Sequence, residues 1–307
     1  MMAIEPRHPL IIDTLTTVLK NDIDLPSFHM NIADYDGVIY MIAGISDTML
    51  AFTMISREIK SIGDAGGYDA IQQHLQGFPT DNSNPETLSV IIDKSQLPSS
   101  PEQRNLSVST IAEKFSIFRT VFISGPFIQA LTAAKQGTGF TAKQVNIRKG
   151  EKLYLIPGDG RVTFVFQILY KDSNDASLAK IFLQEFQDSK KQISNAPVVS
   201  FGSAPPENIR SFNPKTEGLF LSITMLRDQI NNPVEQAKWI SSLRQYLTYH
   251  IHSCKTYLHM RMRKRADLLY NELKQAVPEK LEEKTFKRVR ATKAMKEEAR
   301  IINNFRA

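Results

Sequence analysis

The first part of the chain combines one amphipathic helix with short apolar runs. Apolar residues recur at helical spacing from Pro9 to Lys20, which predicts a helix. Strand-like apolar runs follow at 27–33, 38–43 and 49–55. The pair Asp36-Gly37 separates the first two runs, and Asp-Gly is typical of a tight hairpin because both central residues of that turn need a positive φ. The pattern therefore predicts an antiparallel sheet.

The rest of the chain repeats this kind of order. Further elements of the first half are predicted as helices at 68–75 and 106–122 and a strand at 87–92. Residues 134–143 are small and polar and contain two glycines, which predicts a linker. Strands of the second half are predicted at 145–148, 152–156, 162–170, 179–186, 198–201 and 219–225. We therefore predict an α+β fold of two similar modules with antiparallel sheets and flanking helices, followed by one long C-terminal helix.

The long helix has a well-marked start. Asn232 suits the N-cap, Pro233 suits the first helical position, and Glu235 stands where it can complete a capping box. No proline or glycine follows until Pro278, so a helix over 233–277 would measure roughly 67 Å at 1.5 Å per residue. We divide the chain into a first module at 1–135, a second module at 136–277 that includes this helix, and a basic tail at 278–307.

The apolar stripe of the long helix changes direction along its length. One narrow face, expected to pack on the protein's own sheet, carries Ile240, Leu243, Leu247, Ile251, Cys254 and Leu258. Farther along, the apolar residues Met262, Leu269 and Leu273 lie roughly 45° around the helix from that face. We therefore predict that the second half of the helix docks on another polypeptide, with an interface formed by Leu258, Met262, Leu269 and Leu273.

The same half of the helix carries basic residues. Arg263 and Lys274 point away from the apolar stripe and Lys264 lies at its flank, so these three are our candidates for contact with an acidic surface. Arg261 and Arg265 lie on the line of the first face instead, where a reversed charge would disturb assembly. A merely solvated charged face is the alternative interpretation of this run.

Length and composition narrow the class of protein. The 307 residues suggest two domains, and 42% hydrophobic with 23% charged residues excludes disorder over the whole length. The longest uncharged apolar stretches, 121–131 and 162–170, fall short of the about 18 to 20 residues of a membrane span. The amino terminus lacks the pattern of a signal peptide, and Cys254 is the sole cysteine, which fits a reducing cytoplasm.

The positive charge is concentrated near the carboxy terminus. Residues 255–307 hold 15 Lys and Arg against 7 Asp and Glu, whereas the whole chain has 38 and 32. Such asymmetry favours an acidic partner, which leaves nucleic acid, an anionic membrane or an acidic protein. Few aromatic residues accompany the basic ones and no nucleic-acid motif is present, which disfavours nucleic acid. A basic adaptor that binds anionic lipid or nucleic acid stays the alternative function.

Candidate chemistry is sparse. Gly137 to Ala142 matches a loose dinucleotide fingerprint but lacks its strand-to-helix context. His250 and Cys254 have metal-ligand spacing, but two ligands are too few for zinc. Asp34 and Asp36 are explained by the hairpin turn. We therefore predict no enzymatic activity, no cofactor and no metal site.

Several ordered segments carry a resemblance to a known family. They are 33–40 (ADYDGVIY), 159–166 (DGRVTFVF), 179–186 (AKIFLQEF), 196–201 with Pro205-Pro206, and 243–265 of the long helix. With these segments, the sequence resembles the larger of the two central scaffold subunits, subunit 2, of the actin-related protein 2/3 complex. It departs from the family at Ser203-Ala204, at Lys190-Lys191, where arginine is usual, and in its longer basic tail.

The resemblance implies a fold, partners and a role. The fold would be two similar α/β modules and a long helix packed against the smaller homologous subunit 4. The further partners would be the two actin-related subunits and the side of an actin filament, in the cytoplasm and actin cytoskeleton. The function would be that of a non-enzymatic scaffold that supports nucleation of branched filaments and contacts the mother filament.

Overall fold

The computed structural model describes residues 7–21, 23–190, 193, 195–209 and 218–275. It opens with helix α1, whose inward positions Ile11, Leu15, Val18 and Leu19 are buried at helical spacing. The elements of the first half are α1 Pro9–Lys20, β1 His29–Ala33, β2 Ile39–Gly44, β3 Met49–Ile55, α2 Ile59–Ile62, α3 Tyr68–His74, β4 Thr80–Asp81, β5 Thr87–Asp93, α4 Pro101–Ser116 and α5 Phe118–Gln136.

The first sheet is antiparallel throughout, with strand order β1-β2-β3-β5-β4. The turn between β1 and β2 confirms the predicted hairpin, since Asp36 and Gly37 have φ of 66° and 76°. Alternate residues of the strands point to one buried face, where the Phe52 ring lies 5.0 Å from Phe115 and 5.2 Å from Phe118. Helices α4 and α5 thus provide aromatic side chains to the core of the first sheet.

The second half builds a sheet with the same strand order. Its elements are β6 Lys143–Arg148, β7 Glu151–Gly158, β8 Arg161–Ile168, α6 Ser173–Lys190, β9 Val198–Gly202, β10 Leu219–Leu226 and α7 Pro233–Gln275. The order β6-β7-β8-β10-β9 repeats that of the first sheet, and all pairs are antiparallel. This confirms the prediction of two similar modules.

The two sheets also share a pair of hydroxyl side chains at equivalent positions. On β3 and β5, the hydroxyls of Thr53 and Ser89 lie 2.9 Å apart. On the equivalent strands β8 and β10, the hydroxyls of Thr163 and Thr224 also lie 2.9 Å apart. Each hydroxyl pair forms one hydrogen bond across the strands, as cross-strand threonine and serine pairs do.

Two of the predicted elements were wrong. The strand predicted at 179–186 is part of helix α6, in which Ala179 and Leu183 are buried four residues apart while Ile181 between them is exposed. The helix predicted at 106–122 is two helices that meet at Ile117. The predicted linker is shorter than 134–143, because α5 continues to Gln136 and ends at Gly137 with a left-handed φ of 70°.

Helix α5 contacts the cores of both sheets. Near its start Phe118 lies against Phe52 of β3, and farther along Phe127 lies 5.1 Å from Phe164 and 5.8 Å from Phe166 of β8. Among the described residues, those as far as Tyr249 form one compact unit, and α7 from His250 to Gln275 belongs to a second unit. The division into modules at residues 135 and 136 stays a prediction.

Helix α7 begins at its predicted N-cap, although the Glu235 side chain pairs with Lys238 and not with the backbone of Asn232, as the predicted capping box requires. The Oδ1 atom of Asn232 accepts hydrogen bonds from the backbone N–H groups of Val234, at 3.2 Å, and Glu235, at 3.3 Å. The carboxylate of Glu235 accepts a hydrogen bond from Lys238 at 2.9 Å. The predicted last two helical residues and the tail at 278–307 lie outside the described residues.

Among the described helices, none by itself has the length and hydropathy of a membrane span. The bent pair of α4 and α5, at 56° to each other, meets both criteria when its two helices are taken together.

Candidate functional site

The buried face of α7 is shorter than its sequence predicts. Ile240, Leu243, Leu247 and Ile251 are each at most 3% exposed. Cys254 is half-buried, and Leu258, the last residue expected on this face, is 50% exposed. The apolar face is therefore confirmed as far as Ile251 and ends about two turns before its predicted limit.

The predicted interface residues beyond that point are exposed. Leu258, Met262, Leu269 and Leu273 are 50%, 67%, 58% and 59% exposed. At 100° per residue they fall within about 60° of the helix circumference, so they form one stripe. We call these four residues the leucine stripe. Single exposed apolar residues are normal on a protein surface, whereas a row of them is typical of an interaction site. That another polypeptide covers the leucine stripe stays a prediction.

The candidate basic residues are exposed as well. Arg263, Lys264 and Lys274 all lie on the surface of the helix. Residues 250–275 contain six Lys and Arg against two Asp and Glu. Which molecule these residues contact is not tested by the fold and stays a prediction. Within the described part of the chain, no group of three or more His, Cys, Asp and Glu side chains could hold a metal ion.

A second cluster joins charged side chains from both sheets and from the first half of α7. We call it the ion ladder, and its members are Asp34, Asp36, Arg119, Arg148, Glu151 and Arg244. Three of them are acidic and three are basic, and their side chains are between 5% and 19% exposed. The ladder is therefore electrically balanced, as a buried group of charges must be to avoid a large desolvation cost.

The ladder begins in the first hairpin. Asp34 accepts a hydrogen bond from Tyr40 at 3.1 Å and lies 3.4 Å from a guanidinium nitrogen of Arg119. Arg119, from α5, also pairs closely with Asp36. Arg148, at the end of β6, reaches the same Asp36 oxygen at 2.7 Å. The turn of the first sheet is thus bound both to α5 and to the edge strand of the second sheet.

The ladder continues to α7 through Glu151. One carboxylate oxygen of Glu151 accepts a hydrogen bond from Arg244 at 2.8 Å and another from the backbone N–H of Leu169 at 3.1 Å. The other oxygen lies 3.9 Å from Arg148. Arg244 also donates to Thr248 and lies over the ring of Tyr170 at 5.5 Å. One connected set of charges therefore extends from β1–β2 to α7.

Burial changes the ionisation of groups in and beside the ladder. It lowers the pKa of the Arg148 guanidinium to about 10, although Asp36 acts in the opposite direction. Burial also raises the pKa of Tyr170 to about 12, and burial together with Asp34 raises the pKa of Tyr40. Both phenols are therefore neutral at physiological pH, and the Tyr40 hydroxyl donates its hydrogen bond to Asp34.

The sequence did not reveal the ladder. Asp34 and Asp36 were explained as turn residues, and the structure confirms that Asp34 caps the backbone N–H of Tyr35. Their second role depends on partners 83 and 85 residues away along the chain. The available signal was an arginine inside an apolar segment, as Arg119 is between Phe118 and Val121 and Arg244 is beside Leu243.

Comparison with known proteins then places the chain in a family. Residues 52–280 match the family described as Arp2/3 complex, 34 kD subunit p34-Arc. The chain belongs to the p34-Arc family. Two relatives, both named actin-related protein 2/3 complex subunit 2, extend the similarity. The one from Dictyostelium discoideum is 28% identical over 91% of this chain and 94% of its own length. The one from Schizosaccharomyces pombe is 26% identical over 93% of this chain and 97% of its own length.

The p34-Arc match includes most of the features described above. It covers the chain from within β3 to beyond the described end of α7, and so contains α5, the whole second sheet and the leucine stripe. Four ladder members, Arg119, Arg148, Glu151 and Arg244, lie inside the matched residues. The resemblance found in the sequence is therefore confirmed, and p34-Arc membership identifies the chain with a structural subunit of the Arp2/3 complex.

Proposed function

We propose that the chain is a non-enzymatic scaffold subunit of the Arp2/3 complex that supports nucleation of branched actin filaments in the cytoplasm. In this role the leucine stripe binds the smaller homologous subunit 4, and the body holds the two actin-related subunits. The basic residues Arg263, Lys264 and Lys274 contact the side of the mother filament. Family membership supports the place in the complex, and the surface of α7 supports the two contacts.

The exposed leucine stripe is the observation that carries the proposal. A solvated helix gains little stability from its own hydrogen bonds, and most helices in proteins depend on the packing of an apolar face. From His252 to Gln275, α7 has no residue classed as buried, yet Leu258, Met262, Leu269 and Leu273 keep helical spacing. A partner that covers this stripe would remove four large apolar side chains from water, each worth about 1.5–3 kcal/mol when fully buried.

The filament contact is supported by charge. The excess of basic residues on α7 favours an acidic partner, and exposed lysine and arginine act over about 8–10 Å at physiological salt. Arg263 and Lys274 lie about 110–130° around the helix from the middle of the leucine stripe. A partner on the stripe would therefore leave these two residues accessible to a second molecule.

An assembly experiment tests the proposed contact between the leucine stripe and subunit 4. The complex is reconstituted with the double variant Leu269→Asp and Leu273→Asp, and we expect subunit 4 to dissociate because an unpaired carboxylate in an apolar interface costs several kcal/mol. The matched control is Leu106→Asp on α4, since Leu106 is 71% exposed and lies outside the stripe. Normal assembly of the stripe variant, measured by size-exclusion chromatography, would show that the stripe is not the interface.

A further inference from the structure

The exposed half of α7 carries a second apolar surface besides the leucine stripe. Tyr257, Met260 and Leu268 are 54%, 61% and 57% exposed. Together with Arg261 and Lys264 they are spaced by three, one, three and four residues, so all five fall within about 100° of the helix circumference. We call these five residues the mixed face.

The mixed face is distinct from the leucine stripe. At 100° per residue its centre lies about 140° around the helix from the centre of the stripe. A single helix or groove that covers the leucine stripe could not also cover Met260 and Leu268, since a packed helix contacts only one face of its neighbour. The mixed face is therefore left for a second binding partner.

Contacts within the mixed face combine apolar and basic groups. The guanidinium of Arg261 lies 5.6 Å from the centre of the Tyr257 ring, and one of its nitrogens is 3.4 Å from the Tyr257 hydroxyl. Lys264 lies between Met260 and Leu268 along the same face. Met260 and Leu268 thus have the positive charge of Lys264 between them, and the positive charge of Arg261 lies at one edge of the face.

We propose that the mixed face is part of the filament contact, with Tyr257, Met260 and Leu268 as its apolar component and Arg261 and Lys264 as its charged component. The inference rests on the proposed function, because Lys264 belongs both to the mixed face and to the predicted filament-binding residues. The occupant it fits is an acidic protein surface with an apolar depression for Met260 and Leu268 and carboxylates opposite Arg261 and Lys264. Binding at such a surface has a salt-resistant part from apolar burial and a salt-sensitive part from the charges.

The test separates these two parts in the assembled complex. One variant, Met260→Gln with Leu268→Gln, removes the apolar side chains and leaves the charge and the helix propensity nearly unchanged. A second, Arg263→Glu with Lys274→Glu, reverses charges outside the mixed face. The matched control is Leu106→Gln with Ile181→Gln, since both residues are exposed leucine or isoleucine on other helices, at 71% and 61%. Binding is measured by co-sedimentation with actin filaments over a salt series.

We expect the mixed-face variant to bind filaments roughly tenfold more weakly or worse at every salt concentration, with an unchanged slope against salt. The charge variant should lose affinity mainly at low salt and show a shallower slope. If the charge variant weakens binding and the mixed-face variant does not, the inference is wrong and the proposed function stands. If neither variant weakens binding, the inference and the proposed filament contact are both wrong.

Two further outcomes would also overturn the inference. Loss of a subunit from the mixed-face variant would assign this face to the complex interior. The mixed-face variant could also bind filaments as well as the unaltered complex does but lose binding to phosphatidylserine vesicles. That result would assign the mixed face to contact with a membrane surface.

Discussion

Glu151→Gln should be among the most destabilising isosteric changes in this chain. Glu151 is 4% exposed, and its carboxylate lies 2.8 Å from Arg244 and 3.9 Å from Arg148. The amide keeps the shape of the side chain and an acceptor for the N–H of Leu169, so the change removes the charge and little else. Two buried arginines would then share the site without the carboxylate between them.

The expected loss in the free energy of unfolding depends on the ion pairs that remain after Glu151→Gln. Removing one partner of a buried ion pair costs about 3–5 kcal/mol. Arg148 keeps Asp36 at 2.7 Å, so the cost at that end is reduced, whereas Arg244 loses its carboxylate partner in the ladder. We therefore expect a loss of about 3 kcal/mol in the free energy of unfolding. For a unit of this size that corresponds to a fall of about 6–12 °C in Tm.

Denaturant unfolding of the full chain measures this loss. The matched control is Glu235→Gln, because Glu235 pairs with Lys238 at the surface, where its side chain is 65% exposed, and such pairs contribute little. A double-mutant cycle with Arg244→Met adds the pairwise test, since the double variant should lose less than the two single variants added together. Additive losses, or a Glu151→Gln loss no larger than that of the control, would refute the assignment of Glu151 as the central acid of the ladder.

Two smaller structural elements give further expectations. Phe127→Ala should lower the free energy of unfolding by about 3–5 kcal/mol, because Phe127 is 1% exposed and packs on Phe164 and Phe166. A loss below about 1 kcal/mol in denaturant unfolding would contradict its place in the core. Asn232→Ala should lower the free energy of unfolding by about 1 kcal/mol, because it removes the cap of α7. Asn232→Ser should retain most of that stability in the same assay, since serine is also a good N-cap. No loss in the alanine variant would show that the cap is dispensable.

Local signals made much of the fold predictable. Asp36-Gly37 lies in a tight turn in which both residues have a positive φ, and the first hairpin forms where the sequence places it. The sequence predicts a strand where α6 forms, since Ala179, Ile181 and Leu183 are apolar at alternate positions, as in a strand. The surrounding Lys, Gln and Glu residues favour a helix, and a helix buries Ala179 and Leu183 together.

The ion ladder could not be predicted in the same way. Glu151 and Arg244 are 93 residues apart along the chain, and no local pattern connects them. Only the packing of the second sheet and α7 brings the two side chains together. The same reason explains why Asp34 and Asp36 had a sufficient local explanation as turn formers and still have a second, long-range one.

The two halves of α7 differ in burial more than in sequence. Ile240, Leu243 and Leu247 have the same spacing and character as Leu258, Leu269 and Leu273, yet the first three are at most 3% exposed and the last three at least 50%. Periodicity shows that a helix face is apolar, and burial shows which part of that face the chain covers itself. Since α7 has 43 residues and its last buried residue is Ile251, the apolar residues in more than half of the helix stay exposed in the described part of the chain. For a member of a family of complex subunits, this division favours a role of the first half of the helix in the stability of the chain and supports the proposed role of the second half in assembly.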